Sequence, residues 1–311
     1  FPCTGKTAGM YRQLSAALQW LREAGVPVPD CMFTIRCPAL PFHTKAAPSA
    51  APSLALASSD EHIEVPCPNP YFLTPQKWAG QYRSLVSIAE SKPFSERLPV
   101  AFFRGACRGY PGSLSRVELV AINSTLLDVG LTNKCDGSWR EAPKEITQLL
   151  AMASRRTGVQ RVPLKRHGDF KYLVHMPGSI SGSYSRHLQF ALGMGGVVLK
   201  WDNPYFEFYY DWLEEGKHYV TVNATNILQT IEALNADPTR ASRIAANAQA
   251  WFKEHLHPDF LQQYWWHLIS QYAALLDFEP SLSLLKEPCA CRAQDPTFDG
   301  KECSFCNNKL R

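Results

Sequence analysis

Residues 171–200 read KYLVHMPGSISGSYSRHLQFALGMGGVVLK, and this stretch decides the fold. Lys171-Tyr172-Leu173-Val174 is a short apolar run, as expected of a strand buried on both faces. Pro177 to Ser183 is a Gly/Ser-rich turn. Tyr184 to Leu192 reads as a helix, and Gly196-Val197-Val198-Leu199 as the strand after it. Strand, glycine-rich loop, helix and strand in this order predict a parallel α/β unit. In such a sheet a ligand sits at the carboxyl ends of the strands, where glycine lets it approach the backbone and Arg186 can reach a diphosphate. The loop lacks the Gly-Lys-Ser/Thr of a phosphate-binding loop and the glycine spacing of a dinucleotide fingerprint, which argues against a plain kinase or dehydrogenase.

The same alternation extends in both directions. Upstream, Val100-Ala101-Phe102-Phe103 is an apolar strand ending in Arg104-Gly105, and Ser115-Arg116-Val117-Glu118 matches a capping box. Leu126 to Leu131 is a further strand. Downstream, His218 to Val222 is a strand followed by a helix through Leu234, and the chain stays helical to about Leu276. Leu261, Tyr264, Trp265, Leu268, Ile269, Tyr272 and Leu275 form one broad apolar stripe there. In the N-terminal third, Met10, Leu14, Leu18 and Leu21 fall at helical spacing before Gly25. Cys31 to Ile35 reads as a buried strand, Pro38 to Ser59 as a long loop, and Trp78 to Ala89 as a helix.

The 311 residues are 45% apolar and 19% charged, which suits a globular chain of about two domains at roughly 150 residues each. The net charge of +4 gives no footprint for nucleic acid. Ten cysteines, with sequons at Asn123 and Asn223, point to an oxidising compartment and to disulfides. Cys31 with Cys37 and Cys107 with Cys135 are plausible local bridges. The tail carries Cys289, Cys291, Cys303 and Cys306, whose spacing fits disulfides and, as the alternative, a four-thiolate zinc site. No apolar run reaches 18 residues, and the start at Phe1 suggests that an upstream signal or membrane anchor was removed.

Six motifs in order resemble glycosyltransferase family 90, which contains protein O-glucosyltransferases and capsule-associated xylosyltransferases. They are Phe103-Arg104-Gly105, Lys171-Tyr172-Leu173, the loop and helix from Gly178 to Leu188, Val197 to Lys200, Tyr205-Phe206-Glu207 and His218-Tyr219-Val220. The resemblance implies an α/β GT-B fold, two Rossmann-like domains facing a cleft, with a C-terminal helix crossing back to the first domain. On this sequence the parts are residues 1–95 on the acceptor side, 96–257 on the donor side, 258–280 for the crossing helix and 281–311 for the Cys-rich tail. It implies a UDP-sugar donor, no required cofactor or metal, an inverting transfer to a protein or glycan hydroxyl, and a place in the Golgi or endoplasmic reticulum lumen. The donor set carried over is Arg104, Gly105, Gly178, Ser181, Ser183, Tyr184, Arg186, Lys200, Glu207 and His218.

The general base departs from the family pattern. The family's aspartate has no counterpart, because no Asp or Glu occurs from Cys31 through Ser59. Asp60 and His43 are the candidates to replace it, with Glu61 beside Asp60. The alternative is a family member that binds a sugar nucleotide or glycan and has lost its base.

Overall fold

The structure, a computed structural model, describes residues 5–35, 40–41, 43–46, 53–72, 74–179 and 185–281. Ser181, Ser183, Tyr184 and the tail cysteines Cys289, Cys291, Cys303 and Cys306 lie outside the described residues.

The C-terminal part is built on five parallel strands: β3 (Leu98–Gly105), β4 (Leu127–Leu131), β5 (Phe170–His175), β6 (Val197–Trp201) and β7 (Tyr219–Val222). Their spatial order is β4-β3-β5-β6-β7. Counted from β3 this is the 2-1-3-4-5 order of a doubly wound sheet, whose strand order reverses between its first and third members, here β3 and β5. That pair carries the motifs on which the sequence reading rested.

Both faces of the sheet are covered, which is why its strands read as unbroken apolar runs. Ala101, Phe103, Tyr172, Val174, Val197 and Leu199 share one core with Val117 and Val120 of α3 (Leu114–Ala121) and with Ile227 and Ile231 of α6 (Ile227–Ala236). Alongside them lies α4 (Lys144–Ala153), whose Ile146 and Leu149 close the edge. The alternate residues Phe102, Leu173 and Val198 face a second core. Trp78, Leu85 and Ile88 of α2 (Pro75–Glu90), Leu188 of α5 (His187–Ala191) and Trp251 and Phe252 of α7 (Pro238–His255) fill it.

The third core lies between the chain ends. Leu14 and Ala17 of α1 (Gly5–Glu23) meet Trp265, Leu268, Ile269 and Tyr272 of α8 (Pro258–Ala274). The apolar stripe foreseen in the tail is therefore the face of a helix that crosses back to the N-terminal part. Pro258 breaks what the sequence suggests is one helical tail into α7 and α8, because proline cannot continue the α7 ladder. Gly25 ends the first helix as expected, at φ 70°.

Four expectations need correction. Cys31 to Ile35 is not a strand; only Ile35 forms an isolated bridge, to Leu54. The expected long loop ends early, because Ser53 to Ser59 is buried throughout. Within it β1 (Leu54–Ala55) pairs in parallel with β2 (Val65–Pro66). The capping-box reading of Ser115 also fails, since α3 begins two residues earlier than that cap would set it, with Ser113 at its cap. Cys31 is a free thiol, against a bridge to Cys37, and Cys37 lies outside the described residues.

The bridge between Cys107 and Cys135 is formed, across 28 positions of sequence. It joins the loop after β3 to the loop after β4. The Cys107→Ser/Cys135→Ser variant is expected to lose about 3–4 kcal/mol of unfolding free energy in a urea titration, for a loop of this length.

Candidate functional site

The carboxyl ends of β3 and β5 are tied together by α3. Arg116 is 8% exposed. Its Nε and Nη2 donate to the Pro177 carbonyl at 2.9 and 2.6 Å, and its Nη1 donates to the Ala106 carbonyl at 2.9 Å. Ser113 Oγ donates to the Ser179 carbonyl at 2.7 Å and accepts from the Arg108 N–H at 2.9 Å. The loops after β3 and β5 are thus fixed across the point where strand order reverses. Gly105 is what permits this approach: a Cβ there would meet Arg116 Nη1 at 2.9 Å and crowd the Phe103 ring.

Imidazoles and cations line the same edge. His175 ends β5 and its ring stacks on His187, with centroids 6.2 Å apart; His167 lies 6.0 Å from His187. Burial, then the neighbouring His187, Lys200 and Arg116 charges, hold His175 well below its ordinary range. Burial first, and the charges of His167, Arg116 and Arg186 next, lower His187 to about 3. These rings are neutral at pH 7, so the edge carries the charges of Arg116, Arg186 and Lys200. Lys200, near the end of β6, places its ammonium 5.3 Å from the Tyr210 ring centroid and 5.5 Å from that of Tyr219. The Arg186 guanidinium is exposed and lies 4.7 Å from the Tyr71 ring centroid.

Glu207 closes the site from the far side. It is 2% exposed, and burial raises its carboxyl to about 8 despite hydrogen bonds from Asn69, the Ser185 backbone and Tyr210. Asn69 Nδ2 donates to Glu207 Oε2 at 2.6 Å and to Gln189 Oε1 at 2.8 Å. Ser58 and Phe206 exchange both backbone hydrogen bonds, at 3.0 and 2.9 Å. The N-terminal part therefore meets the C-terminal part at the segment that carries Glu207.

The expected donor residues do not all behave alike. Gly105, Gly178, Lys200 and Glu207 sit at the carboxyl edge, and Arg186 borders it. Arg104 is instead tied to β4, with its guanidinium 2.5 Å from the Asp128 carboxylate and 2.8 Å from the Asp128 carbonyl. His218 has the character of a satisfied core histidine: its Nδ1 accepts from the Glu214 N–H at 2.9 Å, and burial lowers its pKa. Of the base candidates, Asp60 and Glu61 are exposed on the turn that follows the Ser58–Phe206 bridge. His43 is half-buried, with its N–H donating to Glu64 Oε1 at 2.7 Å. Among the described residues no cluster of His, Cys, Asp and Glu could hold a metal ion.

The model for glycosyl transferase family 90 matches residues 5–298. The chain belongs to glycosyl transferase family 90. Among its family 90 relatives, human protein O-glucosyltransferase 3 is 26% identical over 292 residues, covering 88% of this chain and 54% of the relative. Human protein O-glucosyltransferase 1 is 25% identical over 204 residues, covering 65% of this chain and 48% of the relative. The chain spans about half the length of these two relatives. Among solved structures, Anabaena HepE with UDP-glucose aligns over 62% of this chain and 55% of its own, at 15% identity and a TM-score of 0.42. A glycosyltransferase from Rickettsia africae aligns over 84% of this chain and 82% of its own, at 14% identity and a TM-score of 0.40.

Four residues that the structure brings to or beside this edge carry no such role in the sequence reading. Arg116 had been noted only as part of a capping signal. Asn69, Gln189 and His175 carried no local motif, and their roles come from partners far along the chain.

Proposed function

We propose that the chain takes a UDP-sugar at the carboxyl edge of its five-stranded sheet and transfers the sugar, with inversion, to a protein or glycan hydroxyl. The donor side comprises residues 96–257, the acceptor side residues 1–95, and α8 closes the two together. The observation that carries the reading is the cationic edge at the β3/β5 reversal, with Arg116, Arg186 and Lys200 on one side and Glu207 on the other. In the transfer, the acceptor oxygen bonds to the anomeric carbon while the bond to the UDP oxygen breaks. UDP leaves with the electron pair and gains negative charge, which cations placed there stabilise. The acceptor proton goes to a base, a role we assign to Asp60, on the turn beside the Glu207 segment. No cofactor is assigned to the reaction. The names of the relatives support a glucosyl donor, with xylosyl as the other donor the family resemblance allows, and the cysteine and sequon content supports work in the secretory lumen.

The test is UDP binding and transfer from UDP-glucose and UDP-xylose to hydroxyl-bearing peptides and glycans. Arg186→Ala is expected to weaken UDP about tenfold or more, the loss of one charge-assisted contact. Unchanged UDP affinity would place the donor elsewhere. The absence of any Asp or Glu from Cys31 through Ser59 favours a second reading, sugar-nucleotide binding without transfer. Tight UDP binding with no transfer to any acceptor would select it.

A further inference from the structure

The amino edge of the sheet, opposite the edge described above, carries a cavity of about 280 Å³ that the proposed transfer does not use. Its walls are the chain between α2 and β3, the turn at Gly195 before β6, and one face of α7. Ala89, Pro93, Phe94, Ala245 and Ala246 supply apolar surface, and Lys92, Arg97 and Gln249 supply polar groups. Arg97 is 3% exposed. Four of its five N–H groups reach backbone carbonyls: Nε and Nη2 donate to Lys92, Nη2 also to Ala89, and Nη1 to Met194. One hydrogen of Nη1 is left over. Gln249 Nε2 is likewise buried and without a partner. Buried donors are nearly always paired, so two residues of one cavity wall with a spare N–H mark a place for acceptor oxygens.

Charge decides the kind of oxygen. Among the described residues Arg97 bonds only to carbonyls. The carboxylate whose charge it feels, Asp169, lies 2.6 Å from Arg166 and 3.9 Å from Lys92. Glu90, the carboxylate on the cavity wall, is held by Lys253 at 3.1 Å. Lys171 brings a further ammonium to 5.5 Å from the Phe94 ring centroid. The wall thus carries more positive charge than its carboxylates offset, beside an aromatic ring and small apolar side chains. We infer that this cavity is an accessory binding site for a small organic anion, a carboxylate or phosphate on a compact apolar body. The anionic oxygens take the spare N–H groups of Arg97 and Gln249 and face Lys92, while the body lies against Phe94 and the α7 alanines. A neutral apolar molecule would leave both donors unpaired, and a cation would be repelled. β6 is five residues long, so roughly 16 Å separates this edge from the cationic one, and the site does not rest on the donor reading.

The experiment titrates the full chain by calorimetry with phenyl phosphate, benzoate, inorganic phosphate and benzyl alcohol, with and without saturating UDP. The tighter of the two organic anions is expected to bind about tenfold or more above inorganic phosphate, which lacks the body, and benzyl alcohol, which lacks the charge. UDP should not displace it. Lys92→Ala and Gln249→Met should each weaken that anion about tenfold. Ala246→Phe fills the cavity from an exposed helix position and should abolish its binding. Each variant is checked for a cooperative melt, and Ala246→Phe carries the test if another fails to fold. Failure of both organic anions to bind, equal binding of benzyl alcohol, displacement by UDP, or undiminished binding by Ala246→Phe overturns the site. Failure of wild type to bind UDP would overturn the donor reading alone, because the variants read the cavity directly.

Discussion

Arg116→Ala is expected to abolish sugar transfer, by at least about a hundredfold in kcat/KM, and to lower unfolding free energy by about 3–5 kcal/mol. The structural cost follows from the partners. Three N–H groups of one buried guanidinium satisfy the carbonyls of Pro177 and Ala106, and alanine leaves both oxygens unpaired. The functional cost follows from where those carbonyls lie, in the two loops that flank the β3/β5 reversal. Without the tie, the loops proposed to frame a diphosphate lose their fixed separation. The charge matters as well. Burial lowers the Arg116 pKa to about 10, which still leaves it protonated at neutral pH. An arriving diphosphate would therefore meet a cation that water screens poorly. Arg116→Lys keeps the charge and loses the fork, so it should recover part of the UDP affinity and little of the stability. Urea unfolding beside UDP titration reads both quantities. A variant with full stability and full UDP affinity would show that the tie is incidental.

How far the sequence carried the reading depends on the range of the interaction. β3, β5 and β6 were legible because strands buried on both faces need consecutive apolar residues. The exit of the chain from β5 at Met176 to Ser179 was legible because turn chemistry is local. β1 and β2 were not legible. Leu54-Ala55-Leu56-Ala57 is apolar but short and follows Pro48, Pro52 and several serines, and its burial depends on α8, more than 200 residues later. Asn69 was invisible for the same reason: its partners Gln189 and Glu207 stand 120 and 138 positions away. Arg104 shows the converse. A motif placed it at the donor edge, and a carboxylate on the neighbouring strand, not encoded in the motif, holds its guanidinium.

Glu207→Gln is expected to raise stability while removing function, and the two effects have one cause. Burial raises the Glu207 carboxyl to about 8, against about 4.3 in an unfolded chain. Between those values the folded state binds more protons than the unfolded state. The stability contribution is therefore fully present below about pH 4.3, falls as pH rises through the window, and levels off above about 8. Glutamine cannot ionise, so the variant should lack this slope and should exceed wild type by about 2–4 kcal/mol near pH 8, allowing for relaxation around the buried charge. Its amide oxygen can still accept from Asn69, so packing is retained. Transfer should nevertheless fall by about a hundredfold, because an amide is a weaker acceptor than a carboxylate for the sugar hydroxyl. A sugar hydroxyl donating to the Glu207 carboxylate would favour its ionised form, so donor binding by wild type near pH 7 should release a proton and the variant should release none. Calorimetry in buffers of different ionisation enthalpy measures that release. A carboxylate that costs stability at rest and is relieved by substrate belongs to the site, since a purely structural one would show the stability gain without the loss of transfer.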